Sequence, residues 1–390
     1  MKLGFLNPLF ERPGPWASVY FDTALTTEDA LTRHELAAQE AVDQLARDGA
    51  DRPTCEALHN ALLGLKRSTA PAGHALFATH GEVVLDAPLE MPPASAAQAW
   101  WSALPHVEPL LELTGTRPSC LVAYIDRRGA DFEEWGPLGT SPAGQVGGEQ
   151  HPLHRTSAAD WSERRWQQTV ENTWDHNAGV IAEALAEAQR RTGAPVLVLA
   201  GDPRERRAVH DRLPSQLREA AVETEFGGRA PGSRKERLAE VVEDARADYE
   251  ERRIREVLDR FHAGRHPDRQ GRLGAAEGVP ALIEAAREHR IDALLVSPDG
   301  QDLHREVWVG REPDQLGLRR SEIAYLGDED PRMARADDAL LRSAATTNAE
   351  VLTVRLPETG AEDGPAGGLG ALLRWVYDQE TEGAGHATTG

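Results

Sequence analysis

The stretch that most constrains the fold runs from Cys120 to Asp202, where strand, Gly-rich segment, long helix and strand follow one another. CLVAYID reads as a buried strand because every residue before its last is apolar or aromatic. The chain then loses hydrophobic periodicity through GPLGTSPAGQVGGEQHPLHRTSAAD, whose Gly and Pro content predicts a long exposed loop over 136–159. Asp160 is placed to cap a helix, with Glu163 three residues on as in a capping box, and the helix stops near Gly193 and Pro195. Trp166, Val170, Trp174, Ile181 and Leu185 mark its buried face. Roughly thirty residues at about 1.5 Å each give a rod of about 45 to 50 Å. PVLVLAGD returns as a second buried strand. Long unstructured loops are either disordered insertions or functional. Gly147, Gly148, Gln150, His151, His154 and Arg155, with Arg164 and Arg165 just behind them on a stiff helix, favour a functional tip.

The chain is 390 residues long, which predicts two to three domains. No run of eighteen apolar residues occurs, and Asn7, Pro8 and Glu11 interrupt the N-terminal segment before a signal-peptide core could form, so a cytoplasmic protein is expected. Cys55 and Cys120 lack the spacing of a disulfide framework or a zinc site. A formal charge of −21 argues against a general DNA, RNA or anionic-membrane binder. Of the 43 basic residues all but Lys2, Lys66 and Lys235 are Arg, the side chain that pairs bidentately with phosphate.

The first 115 residues form an α/β unit. SVYFDT is a strand; a helix carrying Leu31, Leu36, Val42 and Leu45 follows, then a second helix at TCEALHNALLGL and a hairpin turning at His80-Gly81. Trp100 and Trp101 read as core. The middle unit, 116–250, continues past PVLVLAGD through a charged helix, DPRERRAVHDRLPSQLREA, to EFGG and a turn. That turn fails as a phosphate loop, since Ser233, Arg234 and Lys235 stand where Gly-Lys-Ser/Thr is needed; Ser233 is expected to cap the next, charge-laced helix. The last unit, 251–378, alternates helices and strands (GVPALIEAAREH, DALLVSP, EVWVG, ADDALLRSAATTN, EVLTVRL), and 379–390 is expected to be a disordered tail. The fold class is α/β, with three α/β domains and three-layer packing. No GxSxG elbow and no HExxH motif is present, and Glu149, His151 and His154 make a poor metal site on a Gly-rich loop without a fourth ligand. No catalytic residue and no cofactor is expected. A nucleotide-dependent enzyme using the Gly227 turn is the alternative from composition.

The order of elements resembles the archaeo-eukaryotic class I release factor and Pelota family. CLVAYID, the loop and helix, VLVLAGDP and EFGG are similar to that family's middle domain, and GVPALIEAAREHRIDALLVSPD with GGLGALLRW to its third. The resemblance implies three α/β domains and a ribosomal partner. Two departures qualify it. The release factors' Gly-Gly-Gln tip is replaced by Gly147-Gly148-Glu149-Gln150, and their codon-reading Asn-Ile-Lys-Ser turn by Thr26-Thr27-Glu28-Asp29. Lacking both release motifs, the chain looks like the bacterial members of the superfamily that act in ribosome hibernation, such as Balon and its actinobacterial relatives. That likeness implies occupation of the ribosomal A site against 16S and 23S rRNA, delivery by a translational GTPase such as elongation factor Tu, and no enzymatic activity. A peptidyl-tRNA hydrolase using Gln150 is the alternative.

Overall fold

The computed structural model describes residues 1–24, 30–66, 72–114, 117–147, 161–229, 235–355 and 364–375, with the backbone alone at 30, 161–173 and 235. It is a mixed α/β protein with several sheets, in two compact units: Met1–Thr116 together with Arg253–Gly390, and Arg117–Arg252.

In the first unit, α1 (Asn7–Phe10), β1 (Trp16–Asp22), α2 (Ala30–Arg47), α3 (Arg52–Gly64), β2 (Gly73–Thr79), β3 (Glu82–Leu89), β4 (Ala97–Ser102) and α4 (Glu108–Leu113) follow in order. The strands make an antiparallel sheet in the order β3-β2-β1-β4. β1 is covered on both faces, which is why its sequence shows no polar alternation. Val19 and Phe21 pack with Leu45, Leu58 and Leu62 of α2 and α3. Trp16 and Tyr20 face the opposite way, into a core shared with the C-terminal segment. Leu31 and Leu36 mark α2 in the sequence but lie on its exposed side. Asp51 caps α3 by accepting from the Thr54 amide.

In the second unit come β5 (Cys120–Asp126), β6 (Gly129–Gly136), β7 (Gly139–Gly147), α5 (Trp161–Thr192), β8 (Val196–Gly201), α6 (Pro203–His210), α7 (Ser215–Ala220), β9 (Ala221–Thr224) and the start of α8 (Lys235–Gly264). The sheet order is β7-β6-β5-β8-β9, with β5, β8 and β9 parallel. Period-two alternation sends Leu121, Ala123 and Ile125 toward Ile181 and Leu185 of α5. Cys120, Val122 and Tyr124 go the other way, toward Leu238 and Val242 of α8. Burial there pushes the Cys120 thiol up to about 12, so it is an inert core group.

Two expectations for this unit are corrected. The stretch from 136 to 147 is a strand and not a loop: β7 pairs with β6 from Gly139 to Gly147. It holds the sheet edge mainly through backbone bonds, with Ala143 and Val146 turned to the core, and a bulge opposite Phe132/Glu133 inserts Ala143 between Pro142 and Gly144 (φ +136°). The charged helix expected over 202–220 is two helices, because Pro214 cannot continue a helical ladder. Asp160 and Ser233, offered as helix caps, lie outside the described residues.

The C-terminal segment of the first unit adds the end of α8, β10 (Ala275–Glu277), α9 (Val279–Arg287), β11 (Ile291–Val296), β12 (Glu306–Val309), β13 (Leu316–Gly317), α10 (Arg320–Tyr325), β14 (Arg332–Arg335), α11 (Ala336–Thr346), β15 (Glu350–Thr353) and β16 (Leu369–Leu373). One sheet runs β10-β16-β11-β15 and a smaller one β13-β12-β14. Val257 and Phe261 of α8 cover one face of the larger sheet, α9 and α11 the other. Gly367 to Trp375, which the sequence suggests as a turn leading into Leu-Leu-Arg-Trp, supplies β16, a central strand.

α11 is buried along nearly its whole length. Asp338 accepts a hydrogen bond from the Val107 amide (3.0 Å) and faces His106 Nδ1 at 3.1 Å. Tyr20 Oη donates to the His106 carbonyl (2.7 Å) and accepts from the Leu110 amide (3.0 Å). Burial opposes the charged form of His106, but the attraction and hydrogen bond of Asp338 outweigh it and raise its pKa. Burial, then repulsion from Asp337, lifts Glu108 to about 7; burial, then repulsion from Asp338, lifts Asp337 to about 6. A carboxyl whose folded pKa is raised holds its proton longer folded than unfolded. Its stabilisation is therefore greatest at low pH and is lost as pH rises from the ordinary carboxylate range through about 7. Glu108→Gln should remove that slope and raise stability at pH 8 by about 1 kcal/mol, allowing for solvent screening at a half-buried site. Thermal melts of both proteins from pH 5 to pH 8 check this: parallel curves would show that Glu108 titrates normally.

Candidate functional site

The site is built at one end of the middle sheet. β5 runs parallel to β8, and β7 runs antiparallel to β6, so Asp126, Gly129 and Gly147 align across three strands by the pairs Asp126↔Gly129 and Gly129↔Gly147. β7 therefore ends at Gly147 on the side of the sheet where β5 passes into Arg127 and Arg128. Gly147, exposed at the last position of β7, is a sequence-predicted site residue that the structure places at this end. Gly148, Gln150, His151, His154 and Arg155 lie outside the described residues, as do Thr26 to Asp29. Arg164 and Arg165 fall in the first turns of α5, where the backbone alone is described.

Two glycines shape the floor. A Cβ at Gly201 (φ +151°) would lie 2.3 Å from the Ile125 carbonyl oxygen, so only glycine lets β8 end against β5. Gly227 (φ +88°) approaches Leu238, where a Cβ would be 2.8 Å from Cδ2. These are the glycines of the LAG and FGG pieces. Beyond them Arg229 donates to Asp131 (2.9 Å) and to Asp126 (2.9 Å), fastening the turn after β9 to the strand ends.

Beside this end lies a crevice of about 420 Å³ between the start of α6 and the middle of α5. It sits past the carboxyl ends of parallel strands, where open α/β sheets place their sites. Trp174 is half-buried there, not fully in the core as its helical spacing suggests. The Arg127 guanidinium lies 4.8 Å from the centre of its ring and that of Arg204 4.9 Å, both in cation–π range. Glu205 accepts from Arg127 at 2.6 Å, and this bond, then the charge attraction, raises the Arg127 pKa. The Asn177 amide reaches the Arg127 carbonyl at 3.4 Å. Sequence reasoning missed this grouping because its members come from three separate elements; the pair Arg127-Arg128 directly after a buried strand was the available signal.

Chemically the crevice offers an aromatic face, guanidinium donors and carboxylate acceptors. Its titratable lining groups, among the described residues, are Asp126, Asp175 and Glu205 beside Arg127 and Arg204. Among the described residues no cluster of His, Cys, Asp and Glu is arranged to hold a metal, and no helix is long and apolar enough to cross a membrane.

Residues 119–267 match the family model of the bacterial archaeo-eukaryotic release factor family 2. Uncharacterised proteins from two strains of Mycobacterium tuberculosis are 26% identical over 377 residues, covering 96% of this chain and 97% of theirs. Among solved structures, an archaeal translation termination factor is 16% identical, with 95% of this chain and 96% of that one covered at a TM-score of 0.25. An archaeal Pelota from a ribosome-bound model is 14% identical, with 96% and 95% covered at a TM-score of 0.38. Over residues 119–267 the chain is thus similar to a bacterial release factor family.

Two glycine substitutions test the local account. Gly201→Ala should destabilise the middle unit by about 1 to 3 kcal/mol, through the positive φ and the contact with Ile125. Gly179→Ala, inside α5 with open space around its Cβ, should stabilise by about 0.5 to 1 kcal/mol. Denaturant unfolding of the two variants reads both, and equal effects would contradict the backbone geometry.

Proposed function

We propose that the protein is a ribosome hibernation factor that occupies the ribosomal A site and blocks translation without reading stop codons or releasing peptide. The observation that carries this reading is a pairing. Residues 119–267 match a release factor family, while Glu149 stands between Gly148 and Gln150 where the release chemistry needs Gln directly after the glycines. A one-residue displacement moves the amide by about 3.5 Å. An anion beside an attacking hydroxide is unfavourable in a site that works by electrostatic preorganisation.

Several features support the reading. β7, which ends at Gly147 three residues before Gln150, finishes at the sheet end where Arg127, Arg128 and Arg204 are exposed, and these guanidinium groups, like His151, His154 and Arg155 in the sequence that follows, are suited to RNA phosphates. Thr26 to Asp29 carry acid where a codon reader carries base, so binding is independent of the A-site codon. In this reading the middle segment contacts 23S rRNA and the N-terminal part 16S rRNA, the protein works in the cytoplasm, and a translational GTPase such as elongation factor Tu delivers it. A second reading, peptidyl-tRNA hydrolysis on stalled ribosomes, draws on one observation: Gln150 still follows a Gly pair as the chain leaves β7.

Ribosome pelleting tests the proposal. The purified protein should sediment with vacant ribosomes at low salt, with its GTPase partner present, and equally whatever codon occupies the A site. A tenfold codon preference, about 1.4 kcal/mol, would contradict codon-independent binding. Replacing Arg155 and Arg165 by Ala should weaken binding and flatten its salt dependence by about one unit of slope per lost phosphate contact. Gln150→Ala should leave binding unchanged; if it instead abolished peptide release from peptidyl-tRNA, the hydrolase reading would take over.

A further inference from the structure

A second cavity, of about 150 Å³, lies in the first unit, remote in sequence from the middle segment. Its walls come from the chain between α1 and β1, from Ala103 and Leu104 after β4, from the β12 end at Val309 to Arg311, and from α11. Arg342 of α11 lines it and is 5% exposed. Nη1 donates to the Gly310 carbonyl at 3.0 Å, which fixes the guanidinium plane. Nε and Nη2 are buried and have no hydrogen-bond partner among the described residues. These two nitrogens share one edge of a guanidinium and direct their N–H groups side by side, the arrangement that takes two oxygens of one oxyanion.

A buried, unpaired cation is expensive, typically several kcal/mol, and two unmet donors add to the cost. Burial pulls the Arg342 guanidinium down to about 10, against the attraction of Glu312 and Asp314. Among the described residues no carboxylate forms an ion pair with it. Asp328, an acid of the wall, is already held by the amides of Arg311 (2.6 Å) and Asp330 (2.9 Å). Asp330 lies 3.7 Å from Arg332, and Arg12 pairs with Glu82 outside the cavity. Of the lining guanidiniums, Arg12 and Arg332 thus have carboxylate partners, whereas Arg342 keeps a bare edge. A water molecule could satisfy an N–H but not the charge.

We infer that this cavity is a phosphate-binding site, in which Arg342 offers a phosphate group its unpaired Nε and Nη2 donors and Arg311 adds a second guanidinium. The space amounts to about five waters at about 30 Å³ each, enough for a tetrahedral oxyanion but not for a nucleoside. The phosphate is therefore free, at the end of a small molecule, or presented by an RNA backbone from outside. The inference does not depend on the ribosomal reading, since phosphate binding is measured on the protein alone.

Equilibrium dialysis of the full-length protein against radiolabelled inorganic phosphate, with sodium chloride matched for ionic strength, tests it. Saturable binding of one phosphate per chain is expected, with a melting temperature that climbs with phosphate and not with chloride. Arg342→Met should weaken binding at least tenfold while keeping the fold, because replacing a buried ion by an apolar side chain of similar size is often neutral or stabilising. Arg311→Ala should weaken it less. Absence of saturable binding to the unaltered protein, or undiminished binding to Arg342→Met, overturns the assignment. Competition separates the sources: displacement by a single-stranded oligoribonucleotide without a terminal phosphate points to RNA backbone, and displacement by ribose 5-phosphate alone points to a small phosphate ester.

Discussion

The first unit depends on one buried carboxylate. Asp338, 2% exposed, satisfies the Val107 amide and pairs with His106, while Ser18 accepts from the His106 amide and Tyr20 takes up the carbonyl. Strand β1, the segment before α4 and helix α11 are thereby joined by bonds that no single segment could satisfy within itself. An ionised carboxylate stripped of water is tolerated only when its acceptors are used, so the network fixes which register of α11 against the first sheet is allowed. The apolar core around it, from Leu6 and Trp16 to Leu282 and Leu340, supplies most of the stabilisation, and the polar network supplies the specificity. The N-terminal residue joins the same unit: its amine donates to the Val351 carbonyl at 2.6 Å, beside Glu350, which takes a charge-assisted bond from Arg253.

The middle unit obeys a different constraint. β5 and β8 are parallel neighbours, so the chain must return across one face of the sheet, and a helix is the usual means. Seven-residue β5 spans about 23 Å, which about fifteen helical residues would match. α5 has 32 residues, about twice that length, and among the described side chains those it adds to the core run from Ala178 to Ala188. Arg164 and Arg165 fall within the excess, in its first turns.

How much of this was legible follows from which signals are local. CLVAYID, PVLVLAGD and the helix between them were readable because buried parallel strands are nearly all apolar and the helix is bounded by Gly193 and Pro195. β7 was not, because an edge strand pairing through its backbone needs no hydrophobic pattern. β16 was not, because Gly367 and Gly368 at its start look like a turn and its partners are distant in sequence. Trp174 was placed in the core by its spacing, since periodicity cannot tell a core face from a crevice wall. Arg342 escaped altogether: α11 is buried around its circumference, so Asp337, Asp338 and Arg342 carry no amphipathic signature that would set them apart from solvent-facing charges.

Charge connects these observations. Most arginines for which the structure gives partners are neutralised within the protein, as with Arg206 on Glu223, Arg229 on Asp126 and Asp131, and Arg253 on Glu350. A chain of charge −21 repels RNA at long range, but that repulsion is screened over a Debye length of about 8 Å at physiological salt. Attraction to a polyanion must then come from short-range contacts with exposed guanidinium groups. At the end of the middle sheet Arg127, Arg128 and Arg204 are exposed, Arg127 while held by Glu205. Under the proposed ribosomal reading, binding would therefore rest on such short-range contacts and not on long-range steering by the net charge.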